Sequence, residues 1–108
     1  MSKEAKAALV WCPFPDTETA RTIAGTLLEE KLIACANILP AIESVFEWQG
    51  EVTSGTESGV IFKTTATQLD ALTKRLEELH PYETPAIMGW LVDKTPPCTM
   101  EWLNETLK

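Results

Sequence analysis

The residues best suited to chemistry lie in one short segment, His80-Pro81-Tyr82-Glu83-Thr84-Pro85, which holds the only histidine and the only tyrosine of the chain. Two prolines occur in it, and each restricts the residue before it to extended or turn geometry. Imidazole suits copper and zinc, whereas a thiolate such as that of Cys12 prefers Cu(I). We therefore predict that Cys12 and His80 are metal ligands, with Glu83 or a neighbouring subunit supplying a third. The alternative is a structural role, in which His80 caps the carbonyl groups at the end of a helix.

A second kind of site could form around Lys63, which follows an apolar run and has Glu57 and Glu83 as possible partners. These charges would either line a pocket for an anion or small metabolite, or form salt bridges across subunits. A Cys12–His80 pair could also serve nucleophilic catalysis, with Glu83 orienting the imidazole. The sequence contains no glycine-rich phosphate loop and no cofactor fingerprint, so we predict that the protein is not an enzyme.

The composition limits the class of protein. A chain of 108 residues with 44% hydrophobic content predicts a single domain, residues 1–108. A net charge of −7 argues against a nucleic-acid partner, which would need a basic patch. The three widely spaced cysteines, Cys12, Cys35 and Cys98, are not a disulfide framework. Because we find neither a signal peptide nor an apolar run of about 20 residues, we expect a cytoplasmic protein with free thiols and no membrane partner.

The hydrophobic pattern predicts strands and helices in the order βαββαβ, followed by a C-terminal helix. Helical spacing of apolar residues follows Asp16, a suitable N-cap, and recurs after Thr67 and Thr99. We predict strands at 7–11, 32–48 with a bend at Pro40, 58–65 and 86–92, a turn at Gln49-Gly50 with a returning arm at 51–53, and a weak stretch at 54–56. This order is the α+β, ferredoxin-like pattern, with two helices on one face of an antiparallel sheet.

The topology brings two of the candidate residues together. In the ferredoxin-like strand order 4-1-3-2, the end of the first strand and the start of the fourth share one edge of the sheet. Cys12 at the end of the first strand and His80 before the fourth should therefore lie on the same side. Cys35 and Lys63 fall toward the opposite edge, and they could approach His80 only across a subunit boundary.

The long hairpin predicts an oligomer. Isolated hairpins are marginally stable in water, and Phe46 and Trp48 lie on an arm that a small sheet cannot cover. The simplest partner is another copy of the chain. We interpret Trp48 and Trp102 as packing residues at subunit junctions, because tryptophan buries a large area and uses its N–H group as an anchor.

Several motifs, in order, resemble the CutA family of divalent-cation tolerance proteins, and the resemblance extends from about Leu9 to Trp102. They are Cys12-Pro13-Phe14-Pro15-Asp16, Leu32-Ile33-Ala34-Cys35-Ala36-Asn37, Ser44-Val45-Phe46-Glu47-Trp48-Gln49-Gly50, Glu57, Lys63-Thr64, His80-Pro81-Tyr82-Glu83-Thr84-Pro85 and Trp102.

The resemblance implies a homotrimer of ferredoxin-like protomers, similar in architecture to the PII signalling proteins, whose sheets join edge to edge. It also implies a link to copper and other divalent cations, with Cys12 and His80 at positions that match proposed copper ligands, and it brings no agreed reaction. The chain departs from the family pattern at Phe46, Leu79, Ala86 and Thr99, where members commonly have tyrosine, histidine, glutamate and tyrosine. A PII-like module that binds a small ligand through Lys63, Glu57 and His80, or a trimeric scaffold, is the alternative function. The other residues expected in such a pocket or at a subunit interface are Cys35, Trp48, Tyr82, Glu83 and Trp102.

Overall fold

A computed structural model describes residues 6–108 of the chain. Its elements follow one another in the predicted order, and α3 is the additional C-terminal helix. They are β1 (Ala7–Phe14), α1 (Thr17–Glu29), β2 (Cys35–Trp48), β3 (Glu51–Thr65), α2 (Ala66–Leu79), β4 (Met88–Leu91) and α3 (Pro97–Thr106). In the described part of the chain, no helix is long and apolar enough to cross a membrane.

The four strands form one antiparallel sheet in the order β2-β3-β1-β4. This is the predicted ferredoxin-like α+β architecture. Alternate residues of the central strands, among them Val10, Cys12, Phe14, Val60 and Phe62, are buried in one core cluster with apolar residues of α1 and α2. Helices α1 and α2 therefore cover one face of the sheet, whereas Leu103 of α3 packs near the start of β1 in a separate cluster with Ala7 and Ala34.

The first strand is longer than the sequence predicts, since it passes through Pro13 and ends at Phe14. A proline cannot donate a ladder hydrogen bond. Here it needs no such bond, because β4 pairs with β1 only as far as Trp11. The carbonyl group of Pro13 is consequently free on that side of β1 to accept side-chain hydrogen bonds. The fourth strand is shorter than predicted, with only Met88–Leu91 paired.

The β2–β3 hairpin extends well beyond the sheet, and the molecule measures 46 × 26 × 22 Å along its principal axes. Gln49 and Gly50 have φ angles of 51° and 84°, so the predicted turn is a two-residue turn with both central residues left-handed. The predicted bend near Pro40 is a register shift between Leu39 and Ile42. The expected weak stretch at 54–56 is wrong, because each of these residues pairs with a residue of β2.

The helix starts agree with the sequence only in part. Asp16 caps α1, and its Oδ1 accepts a hydrogen bond of 2.7 Å from the backbone N–H of Thr19. The predicted caps Thr67 and Thr99 lie two and three residues too late, since the residues before the helices are Thr65 for α2 and Pro96 for α3. Proline fits the first position of a helix, where the backbone N–H would lack a partner in any case.

The second face of the sheet carries apolar side chains that no helix of the described chain covers. Trp11 lies on this face, where its ring packs over Gly59 in the neighbouring strand and leaves no room for a β-carbon there. Met88 and Trp90 on β4 are exposed. This open face and the distal hairpin bring large apolar groups to the surface of the protomer.

Candidate functional site

His80 follows the last residue of α2, and one accepted and one donated hydrogen bond at its two ring nitrogens hold it in place. Tyr82 donates its backbone N–H to Nδ1 at 3.1 Å, so Nδ1 is the acceptor nitrogen. Nε2 therefore carries the hydrogen, and it donates to the carbonyl oxygen of Pro13 at 2.8 Å. His80 also gives its backbone N–H to Leu76 at the end of the helix. The imidazole thus joins the end of α2 to β1 and to the segment that leads into β4.

Aromatic rings enclose the imidazole. The ring of His80 stacks on Phe14 with centroids 4.5 Å apart and planes 18° apart. Tyr82 lies on it at 4.7 Å with a tilt of 47°. His80 is only 7% exposed. This packing fixes the His80–Pro85 segment against the end of β1.

Cys12 reaches the same backbone carbonyl from within the core. Its thiol is fully buried and donates a weak hydrogen bond of 3.6 Å to the Pro13 carbonyl oxygen. Burial, with a smaller contribution from the negative charge of Glu57, raises the pKa of the Cys12 thiol to about 12. The structure thus brings Cys12 and His80 together at one atom, the oxygen of Pro13.

The donor set does not fit a metal ion in the protomer. The Cys12 thiol is fully buried and donates to the Pro13 carbonyl oxygen, and both ring nitrogens of His80 are occupied by backbone groups. Between residues 6 and 108 there is no cluster of three or more histidine, cysteine, aspartate or glutamate side chains that could hold a metal. Glu83, the expected third ligand or orienting group, makes no hydrogen bond to His80.

Tyr82 connects the His80–Pro85 segment to the hairpin. Its phenol donates a hydrogen bond of 2.7 Å to Oε2 of Glu57 in β3. The pKa of Tyr82 is raised to about 12, first by burial, then by this hydrogen bond and by the negative charge of Glu57. The phenol therefore stays protonated at neutral pH and holds the carboxylate on the open side of the sheet.

Next to this hydrogen bond lies a cavity of about 810 Å³, which we call the hairpin cavity. Its walls are the inner side of the distal hairpin and the segment before β4. The lining residues are Pro13, Ser44, Phe46, Trp48, Thr53, Glu57, Tyr82, Glu83, Thr84 and Ala86. Four of the residues predicted for a ligand pocket or interface, Trp48, Glu57, Tyr82 and Glu83, thus share one cavity.

The remaining predicted residues lie elsewhere. Lys63 and Trp102 line a smaller cavity of about 210 Å³ at the other end of the central strands, between β4 and α3, which we call the terminal cavity. Cys35 is half-buried at the start of β2, where it is the strand partner of Lys63 in β3. The hydroxyl of Thr95 in the same cavity wall is buried without a hydrogen-bond partner, and nothing in the structure explains it.

Sequence reasoning missed two groups that determine the geometry of the site. The Pro13 carbonyl is a backbone atom and has no side-chain signature. Phe14 lies beyond the predicted first strand, 7–11, and was given no role, yet its ring supports His80. The alternation of Val10, Cys12 and Phe14 on the core side is the signal that would have revealed it.

The fold and this site define a class of protein: a ferredoxin-like domain with an extended hairpin, an acid-lined hairpin cavity and a histidine that joins α2 to β1. The sequence profile described as "CutA1 divalent ion tolerance protein" matches residues 8–106. The chain therefore belongs to the CutA1 divalent ion tolerance family, as its motifs indicated.

Individual proteins of known name and solved structures support the same family assignment. The divalent-cation tolerance protein CutA of Thermus thermophilus is 41% identical over 91 residues, which are 84% of this chain and 88% of that protein. The chloroplastic protein CutA of Arabidopsis thaliana is 34% identical over 99% of this chain, but the chain spans only 59% of that longer relative. Among solved structures, CutA1 from Ehrlichia chaffeensis superposes with a TM-score of 0.91 at 36% identity, covering 94% of this chain and 95% of that one. CutA1 from Oryza sativa gives a TM-score of 0.90 at 34% identity, with 97% and 96% covered.

Proposed function

We propose that this protein acts as a homotrimer in the cellular response to divalent metal ions. Membership of the CutA1 divalent ion tolerance family supports the connection to metal ions. Copper is the first ion to test, because three free cysteines offer the soft donor atoms that copper prefers. Since the Cys12–His80 pair does not fit a metal in the protomer, we assign no resident metal to it. Their ligation of copper stays a prediction from the sequence.

The exposed apolar surface is the observation that carries the proposed assembly. Trp48 is 62% exposed, Met88 64% and Val52 84%, and the open face of the sheet adds Trp90. The register places Trp48 and Val52 on opposite faces of the hairpin, so the arm exposes large apolar side chains on both faces, and such surface marks interaction sites. A second copy is the simplest partner, and a small chain gains core burial by associating with it.

A cytoplasmic location is part of this proposal. Cys12, Cys35 and Cys98 are all free thiols, which suits a reducing compartment. The acidic net charge of −7 favours soluble, well-dispersed protein over binding to nucleic acid.

We assign the protein no catalytic activity. A thiol nucleophile needs a base that accepts its proton. Nε2 of His80 already carries a hydrogen and donates it to Pro13, so the imidazole cannot serve Cys12 as a base in this geometry. The pair has the residue types of a catalytic dyad without its hydrogen bonding.

Copper titration with native mass spectrometry tests the proposal. Cu(I) and Cu(II) are added separately to the wild-type protein and to Cys12→Ala and His80→Ala, and the subunit number is recorded at each step. We expect a trimer, with copper binding that both variants retain. Saturable binding at a fixed stoichiometry that is lost in both folded variants would make the pair the ligands and contradict the closed geometry described above. A monomer at all concentrations would refute the assembly.

The hairpin cavity favours a second candidate, a PII-like module that responds to a small ligand. At about 810 Å³ the cavity is within the size range of small-molecule sites. Its polar groups differ from those predicted from the sequence, because neither Lys63 nor His80 of the same chain lines it. A thermal-shift screen of metabolites in a chelator tests this candidate. A hit that Glu57→Gln abolishes supports it, whereas a screen without hits in the wild-type protein argues against it.

A further inference from the structure

The terminal cavity has a largely apolar wall. Ala7 and Leu103 are buried there in a small hydrophobic cluster, and Val92 packs against them. The ring of Trp102, which is 42% exposed, forms another part of the wall. At about 210 Å³ the cavity is smaller than the sites that hold drug-sized ligands. It therefore suits a small molecule with an apolar body.

Two lysines give this cavity a positive charge. Lys63 and Lys94 line it, and no aspartate or glutamate of residues 6–108 does. Neither lysine has an acidic partner within the described chain, where every ion pair closer than 4.0 Å involves Arg75 or Lys108. An ammonium group beside an apolar wall attracts an anion more strongly than one surrounded by water, because the local dielectric constant is lower. The cavity thus favours a ligand with negative charge.

The hydroxyl of Thr95 is an unpaired donor in the same wall. Its Oγ1 is buried and makes no hydrogen bond to any residue that the structure describes. The neighbouring Thr64 differs, because its hydroxyl donates to the carbonyl oxygen of Leu32 at 2.8 Å. A buried polar group without a partner is destabilising. A threonine hydroxyl changes its direction by rotation between staggered positions, so an acceptor atom of a ligand in the cavity can pair with it.

We propose that the terminal cavity binds a small monocarboxylate with an apolar body, such as a short-chain or single-ring carboxylic acid. The carboxylate accepts hydrogen bonds from Lys63, Lys94 and the Thr95 hydroxyl, and the apolar body lies against Trp102. The start of α3, which no side chain caps, also lies at this cavity, and its dipole adds to the positive potential. Two lysines repel metal cations, so the site is separate from any metal binding. All of these groups belong to one subunit, so the site does not depend on the proposed trimer.

Benzoate tests the site, because it joins one carboxylate to one apolar ring. An NMR titration of the full chain follows the indole N–H signal of Trp102, which Trp102→Phe identifies. Benzamide keeps the ring without the charge, and inorganic phosphate keeps negative charge without an apolar body. Lys63→Gln and Lys94→Gln each remove one ammonium group. Lys74→Gln is the matched control, because Lys74 lies exposed on α2 and lines neither cavity.

We expect benzoate to saturate the signal with a Kd of about 1 mM or tighter, and benzamide and phosphate to bind at least about tenfold more weakly. Lys63→Gln and Lys94→Gln should each raise the Kd of benzoate about three- to tenfold, whereas Lys74→Gln should leave it within about twofold of the wild type. A titration without saturation up to about 20 mM benzoate would overturn the site. Benzamide that binds as tightly as benzoate, or a Lys94→Gln protein that matches Lys74→Gln, would do the same.

Thr95→Val distinguishes a ligand donor from a structural hydroxyl. It replaces an unpaired hydroxyl with a methyl group of similar size, so the urea midpoint of the ligand-free protein should rise, while the Kd of benzoate rises about threefold or more. A lower midpoint with an unchanged Kd would show that the hydroxyl has a structural role and would remove Thr95 from the site. Phosphate that binds as tightly as benzoate would overturn the monocarboxylate assignment and indicate an adventitious ion only.

Discussion

Replacing Tyr82 with phenylalanine should weaken the attachment of the His80–Pro85 segment to the hairpin without changing the size of the ring. The substitution removes a 2.7 Å hydrogen bond to the Glu57 carboxylate. Hydrogen bonds to charged groups contribute about 1.5–3 kcal/mol when well shielded. Because Tyr82 is only half-buried, solvent screening reduces this value. We expect the free energy of unfolding to fall by about 1 kcal/mol.

The loss should depend on pH in a defined direction. The pKa of Tyr82 rises from 10.0 to about 12 on folding, so folding favours the protonated phenol. Its contribution is complete below pH 10 and disappears as the pH rises through the interval from 10 to about 12. Cys12 also loses stability at alkaline pH, since its pKa rises from 9.0 to about 12. The difference between wild type and Tyr82→Phe isolates the phenol, because Cys12 is common to both.

Urea unfolding at a fixed subunit concentration measures both effects. A double-mutant cycle with Glu57→Gln gives the coupling between the two side chains. A coupling below about 0.3 kcal/mol, within the scatter of independent sites, or a stability difference that persists at pH 12, would refute the assignment of this hydrogen bond as an attachment point.

Three further predictions follow from the packing around the sheet. His80→Ala should lower the free energy of unfolding by about 3 kcal/mol in urea titrations, because it removes hydrogen bonds to two backbone groups and leaves a cavity beside Phe14; a loss below about 1 kcal/mol would contradict the packing. Gly59→Ala should cost about 1–3 kcal/mol through its clash with an indole ring, whereas Gly25→Ala, with open space in α1, should be neutral or stabilising; equal effects would show that the ring moves freely. At pH 8, iodoacetamide should label the exposed Cys98 rapidly and Cys12 only on unfolding, and equal rates measured by mass spectrometry would exclude a buried Cys12.

The alternation of apolar residues was sufficient to predict the sheet, and chain topology was sufficient to predict that Cys12 and His80 meet. The Gln49-Gly50 turn was also predictable, since few residue pairs tolerate two positive φ angles. The hydrogen bonding of Cys12 and His80 was not predictable, because it depends on the backbone carbonyl of Pro13 and on which ring nitrogen of His80 carries the hydrogen. The separation of Lys63 from Glu57, by contrast, could have been predicted, since six residues along one strand span about 20 Å and the two side chains lie in different cavities.

The predicted starts of α2 and α3 were wrong for a different physical reason. A threonine caps a helix from the last extended residue before it, and Thr67 already lies inside α2, which begins directly after Thr65 of β3. The sheet register, rather than the local preference of the threonine, determined where α2 starts.

The bend at Pro40 has a consequence for the edge of the sheet. β2 is an edge strand of 14 residues, and a straight edge of that length is a template on which further chains can add as strands. Pro40 lacks a backbone N–H, and the register shift beside it interrupts the regular spacing of donors and acceptors. A strand from another molecule can therefore match only one portion of this edge at a time. The interruption favours assemblies of limited size and opposes the growth of fibrils by strand addition along β2.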